Sequence, residues 1–287
     1  MVPRPLRRRV DTLRRLCYNR CVMAPETNEP HKKPVHGVHV FGITGIGEIE
    51  PGDDLGAMLA DAAQRQQTAI EPGDILVVTQ KIVSKAEGRV VDLSDVEPST
   101  YASNLASWTG KDPRLVELVL RESRTVVRVE PEHGIIITET HHGFVCANAG
   151  IDTSNVPGDG KVALLPQDPD GSARLIRAQV RAATSGVEAA VIISDTFGRA
   201  WREGHVNFAI GVAGMGPIKD YRGTPDAYGM ILKVTNIAVA DELAAAAELV
   251  TGKSIGVPAA IVKGYEAPPG DGSVGDLLRD RSRDLFR

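Results

Sequence analysis

The spacing of apolar positions changes period several times along this chain, and each change marks an element. The run "VHVFGI" from Val38 alternates as a strand and leads into the glycine-punctuated loop "TGIGEIEPGDD". "LGAMLADAAQRQ" (Leu55–Gln66) has helical spacing, with Asp53 or Asp54 as its start signal. "DILVVTQKIVSK" (Asp74–Lys85) reads as a buried strand of β-branched residues running into a basic end. "DPRLVELVLRES" (Asp112–Ser123) is an amphipathic helix. Residues 124–150 alternate as two or three strands, with turns at Pro131–Gly134 and His142–Gly143. The second half predicts a helix over Ser172–Ser185, an apolar strand over Ala189–Gly198 and a strand over Met230–Ala238. An Ala-rich helix (Ala240–Lys253) and a last strand, "AAIVKGY", follow. Strands and helices are mixed rather than strictly alternating. The expected class is therefore α+β with mixed sheets, not a doubly wound sheet.

Composition narrows this only slightly. At 287 residues, with 42% hydrophobic and 24% charged, the chain can bury a sizeable core and is not disordered throughout. A net charge of −4 gives no global argument for nucleic acid or an acidic membrane surface as partner. The first 22 residues differ, with seven Arg against the single Asp11. They read as a disordered basic arm (1–36), as a targeting peptide, or as a leader before a true start at Met23. No apolar run approaches the ~20 residues of a membrane span. Cys17, Cys21 and Cys146 are too few and too scattered for a disulfide framework, which fits a cytoplasmic protein. The polar segment 269–287 is expected to be a surface tail.

Two carboxylates stand where apolar runs end: Asp152 in "CANAGIDTSN" and Asp195 in "VIISDTFGR". Carboxylates at strand ends, followed by Thr or Ser, are hard oxygen donors of the kind that hold Mg²⁺ or Mn²⁺ beside phosphates, although Asp also simply starts turns. Lys85, Arg199 and Arg202 supply cations near these punctuation points, as a phosphate-transfer site requires, or are solvated surface charges. Common nucleotide fingerprints fail. "GITGIG" and "GVAGMG" do not match G-x-G-x-x-G, and "TGKS" lacks its upstream glycine, since Ala247 occupies that place.

Taken together, "GIGEIEPGDDL", "DILVVTQKIVSKAEGRVV", "CANAGIDTSNV", "ALLPQDPDGSARLIR", "ISDTFGRAWREG", "FAIGVAGMGPIKDYRG" and "VADELAAAAELVTGK" closely resemble the coenzyme F420-0:L-glutamate (γ-glutamyl) ligases. They occur in the family's order across about Val38 to Tyr265. The resemblance implies a ligase domain over 37–268, in the single-domain form without the fused flavin-binding domain of some members. It implies two subdomains, an intertwined homodimer and GTP-dependent attachment of one or more L-glutamates to F420-0. By the family's pattern Asp152, Asp195 and Thr196 would bind the metal, Mg²⁺ or Mn²⁺, with a monovalent cation as a further expected ion. GTP would contact Gly45, Ile46, Gly47 and Glu48, then Gln80, Lys85 and Asn155. The segment Thr251, Gly252, Lys253, Ser254, Ile255, Gly256 and Val257 would close on it. Asp152, Asp195 and Lys85 are the expected catalytic residues. Two positions depart from the pattern: Gly47 stands where Pro is usual, and Lys253 where an acidic neighbour of the metal can occur. Another carboxylate acceptor on the same scaffold, or a non-catalytic F420- or nucleotide-binding protein, stays open as an alternative.

Overall fold

The computed structural model describes residues 37–156 and 158–285. The expectations for the basic arm, Cys17, Cys21 and the alternative start lie outside the described residues. The central element is a five-stranded sheet of β1 (His39–Ile43), β2 (Ile75–Thr79), β8 (Ala190–Arg199), β9 (Arg202–Ala213) and β12 (Ala259–Lys263), in the order β1-β12-β2-β8-β9. Only β2 and β8 run parallel; every other neighbouring pair is antiparallel.

β2, β12, the first half of β8 and the last half of β9 are apolar at nearly every position because both faces of the sheet are covered there, whereas β1 and the outer part of the β8–β9 hairpin keep exposed positions. Leu76, Val78, Val191, Ile193 and Ile261 point to one side, against α1 (Leu55–Arg65) and α5 (Pro169–Ala183). Ile75, Val77, Ile192, Ala260 and Val262 point to the other, against the small residues of α6 (Val239–Thr251). The period-2 alternation of β-strands thus divides one apolar run between two cores. Asp54 caps α1 by accepting from Ala57 N at 2.8 Å, and Asp168 caps α5 by accepting from Gly171 N at 3.0 Å.

A second group of elements lies between residues 87 and 165. Strands β4 (Ser123–Glu130), β5 (Ile135–Thr140) and β6 (Val145–Ala147) form an antiparallel sheet with its own core against α3 (Thr100–Thr109) and α4 (Pro113–Arg121). Short β3 (Val90–Asp92) pairs with β7 (Lys161–Ala163). The mixed α+β class is as expected from the sequence.

Several elements differ from the sequence expectation. The strand drawn over Asp74–Lys85 stops at Thr79, and Gln80–Ala86 is a helix, α2. Ile82 and Val83 are buried on one side of that helix, while Ser84 Oγ donates to Gln80 Oε1 at 2.8 Å. The strand expected over Met230–Ala238 is reduced to Asn236–Ile237 (β11), paired with Lys219–Asp220 (β10). Helix α3 and the long strand β9 have no counterpart in the sequence reading. Within 269–287, Val274 is buried and its N–H donates to Asp170 at 3.1 Å, which ties the segment to the start of α5.

Candidate active site

Strand register assembles the site. Thr79 of β2 is paired with Ser194 of parallel β8, so the next residues lie side by side where β2 ends: Gln80 opens α2, and Asp195 stays in β8 with β9 as its remaining neighbour. Such an end, between parallel strands, is where open sheets with helices packed on them form a crevice. β12 enters at the same edge, with Ala259 opposite Val78 and Thr79 N donating to Pro258 O at 2.9 Å. β1 leaves there, with Ile43 opposite Ala259. The loops after β1 and before β12 are thereby carried to the ends of β2 and β8. Asp152 arrives from the second group of elements through an isolated bridge to Ala163.

The result is a cavity of about 590 Å³. Its lining includes Ile46, Gly47, Glu48, Gln80, Lys85, Asp152, Asn155, Asp195, Thr196, Thr251, Gly252, Lys253, Ser254, Gly256 and Val257. Nearly the whole set of residues singled out by the resemblance therefore meets in one place. Gly45 and Ile255 are not in the lining. Gly45 adopts a left-handed φ of 73° at the turn, and its carbonyl accepts from Arg65 at 3.3 Å. The Ile255 side chain is exposed. Arg199 and Arg202, considered as phosphate-stabilising cations, lie at the outer end of the β8–β9 hairpin and do not line the cavity. Arg199 donates instead to Glu203 O at 3.0 Å. They are strand residues beyond Asp195, not the helical turn that would bring them back.

The lining also contains Lys81, Ser194 and Asn207, which the sequence reading did not select. Ser194 Oγ is buried and has no hydrogen-bond partner. Lys81 pairs with Asp152 at 2.5 Å, and Lys85 pairs with Glu48. The signal for Lys81 was its position beside Gln80, hidden by the strand assignment. Thr196 Oγ1 donates to Asn207 Oδ1 at 2.6 Å and accepts from Lys253 Nζ. Asn155, in a left-handed conformation with φ 53°, donates from Nδ2 to Lys253 O at 3.1 Å and joins the two loops across the cavity mouth.

The pKa values of the two carboxylates are displaced in opposite directions. Burial works against ionisation of Asp152, but hydrogen bonds from Lys81 and Ser154 outweigh it and hold its pKa below the ordinary value. Burial pushes Asp195 up to about 7; the charge of Asp152 adds to this, while the Thr196 amide, Lys253 and Lys81 oppose it. Two nearby carboxylates and a hydroxyl, one carboxylate poorly compensated, are a donor set that fits a hard divalent cation. Among the described residues a second acidic group, Glu130, Glu132 and His133, lies elsewhere, on the second group of elements.

Cys146 lies behind this site. Burial, with the charge of Asp195, raises its thiol to about 12, so it is a packed residue rather than a nucleophile. In native protein at pH 8, iodoacetamide is expected to leave the Cys146 peptide unmodified and to label it only after urea denaturation. Rapid native labelling in a peptide map would contradict this placement.

Curated relatives of this chain fix its class. A protein of Methanothermobacter thermautotrophicus named coenzyme F420:L-glutamate ligase is 50% identical over 256 residues, which is 88% of this chain and 99% of the relative. The proteins of the same name from Methanopyrus kandleri and Methanocaldococcus jannaschii are 47% and 45% identical, over 84% and 77% of this chain and 94% and 87% of their own lengths. The protein is an enzyme, a ligase that forms carbon–nitrogen bonds. The sequence profile described as F420-0:Gamma-glutamyl ligase matches residues 44–264, and the chain belongs to that family. Among the described residues no helix is long and apolar enough to cross a membrane.

Proposed function

We propose that the enzyme joins L-glutamate to coenzyme F420-0 in F420 biosynthesis, using GTP to activate the acceptor carboxylate. A carboxylate does not condense with an amine in neutral water, so its oxygen must first become a leaving group. In this reading the terminal carboxylate oxygen of F420-0 attacks the γ-phosphorus of GTP. The bond to the GDP oxygen breaks, leaving an acyl phosphate. The α-amine of glutamate then attacks the acyl carbon, loses a proton and expels inorganic phosphate, leaving an amide. No covalent bond to the protein is needed.

The observation that carries this reading is the meeting of Asp152, Asp195 and Thr196 with Lys85 in one cavity. The three oxygen donors would hold Mg²⁺ or Mn²⁺, which when bound supplies positive charge to the phosphate oxygens. Gln80, Asn155 and the loops 45–48 and 251–257 would hold the nucleotide. Lys85 would stabilise charge on the moving phosphoryl group. Lys85→Met is expected to lower turnover about 10²–10³-fold with an unchanged circular dichroism spectrum; near-normal turnover would remove Lys85 from the mechanism.

The same reading takes residues 37–268 as the ligase domain and includes a homodimer. Trp201 at the β8–β9 tip and Tyr228, Met230 and Val234 in the following segment are exposed apolar side chains that a second copy would cover. A monomer by light scattering at micromolar concentration would oppose the dimer. The reaction itself is tested by mass spectrometry after incubation with F420-0, glutamate, GTP and Mn²⁺. Addition of one or more glutamyl units with release of GDP and phosphate is expected, and an unchanged coenzyme would refute the proposed acceptor.

A further inference from the structure

The oxygens proposed for the metal on Asp152 and Thr196 are already met by donors from the chain itself. Lys81 Nζ lies 2.5 Å from Asp152 Oδ2 and donates to Ser154 O at 2.8 Å and Ser154 Oγ at 3.2 Å. The other oxygen of Asp152, Oδ1, accepts from Ser154 N and Oγ at 2.7 and 2.8 Å. From the loop after α6, Lys253 Nζ donates to Thr196 Oγ1, whose own proton is directed to Asn207. The two ammonium groups come from chain segments far apart in sequence. Both side chains line the cavity, and the Asn155 bond to Lys253 O links the loops that carry Asp152 and Lys253.

We propose that Lys81 and Lys253 are resident counter-cations that oppose entry of a free divalent ion, so that the metal binds together with the nucleotide and not ahead of it. The inference rests on the metal and nucleotide reading given above. An ammonium beside a carboxylate offsets its charge and repels a second cation at short range, where the cavity screens poorly. The polyphosphate of a nucleotide reverses the balance. It brings charge that attracts both the metal and the lysines, and a lysine on a flexible four-carbon stem can turn from carboxylate to phosphate. A lysine that merely tethered Asp152 would have the opposite signature, because its removal would loosen a ligand and weaken metal binding.

The test is Mn²⁺ binding to the metal-free full-length protein, followed by electron paramagnetic resonance, with and without a non-hydrolysable GTP analogue. Wild type is expected to bind Mn²⁺ weakly alone and tightly with the analogue. Lys81→Met and Lys253→Met should each tighten binding at least about tenfold, or about 1.4 kcal/mol, in the absence of nucleotide. With the analogue this gain should disappear. Lys81→Arg, which keeps the charge, should behave as wild type, and circular dichroism checks that each variant is folded. Unchanged or weaker nucleotide-free binding in a folded Lys81→Met protein would overturn the inference while leaving the metal site in place. Mn²⁺ binding with the analogue that survives Asp195→Asn would overturn the metal-site reading itself, and this inference with it.

Discussion

Asp195→Asn is expected to lower ligase turnover by about three orders of magnitude and, in the same preparation without metal, to raise thermal stability at pH 8. Loss of activity follows if this carboxylate holds the divalent cation, since an amide is a far poorer ligand for a hard ion. The stability gain follows from linkage. Asp195 has a folded pKa raised to about 7 from an ordinary value of 3.8, so between those values the native state binds more protons than the unfolded chain. Stability contributed by the protonated form is present below about pH 4 and is lost as pH rises towards 7. Asparagine carries no such penalty. The melting temperature of the variant should therefore exceed that of wild type increasingly from pH 5 to pH 8, with EDTA present, and converge near pH 4. A constant difference across this range would contradict the assigned pKa. Near-normal turnover would contradict the assigned role.

Gly211→Ala is expected to cost about 2–4 kcal/mol without touching the cavity lining. A Cβ at this position would lie 2.4 Å from Pro169 O and 2.5 Å from Pro169 C, atoms of the backbone at the start of α5 that no side-chain rotation can move. Next to it Val212 N donates to Asp170 Oδ1 at 2.8 Å, and Val274 N shares the same carboxylate at 3.1 Å. Pushing α5 off β9 thus breaks a junction of three segments. A fall in melting temperature of about 5–10 °C is expected, with a lowered denaturant midpoint at unchanged slope. A melting temperature within about 1 °C of wild type would show that the contact yields easily.

That glycine illustrates what the sequence could and could not reveal. "GVAGMG" looked like a nucleotide fingerprint and failed as one; its first glycine serves a helix-to-strand contact instead. Gly211 also interrupts the apolar half of β9, whose other half, from Arg202 to His205, is polar and exposed and gave no strand signal. Strands β2, β8 and β12 were legible as continuous apolar runs, and β1 by its alternation. Helix α2 was not, because Ile82 and Val83 continue the β-branched run of β2, and the i,i+4 spacing of Gln80 and Ser84, which are bonded to each other in the helix, is too slight a signal on its own. Asp152 and Asp195 were legible as carboxylates at the ends of apolar runs. Their companions in the loops 45–48 and 251–257 came from resemblance alone, since adjacency across the sheet edge depends on a register that no local pattern encodes. Lys81 was missed because a lysine inside an assumed strand gave no reason to look into a cavity.

The strand order has a consequence for biosynthesis of the protein itself. β12, the last strand of the central sheet to leave the ribosome, lies between β1 and β2, two of the earliest. Until it inserts, β1 has no neighbour in the sheet, and the loops after β1 and before β12 cannot take their places. Assembly of the cavity end of the sheet therefore waits on contacts between the two extremes of the folded unit. A chain cut before β12 would leave the central sheet open along one strand-wide slot between β1 and β2, to be filled by any segment able to pair there.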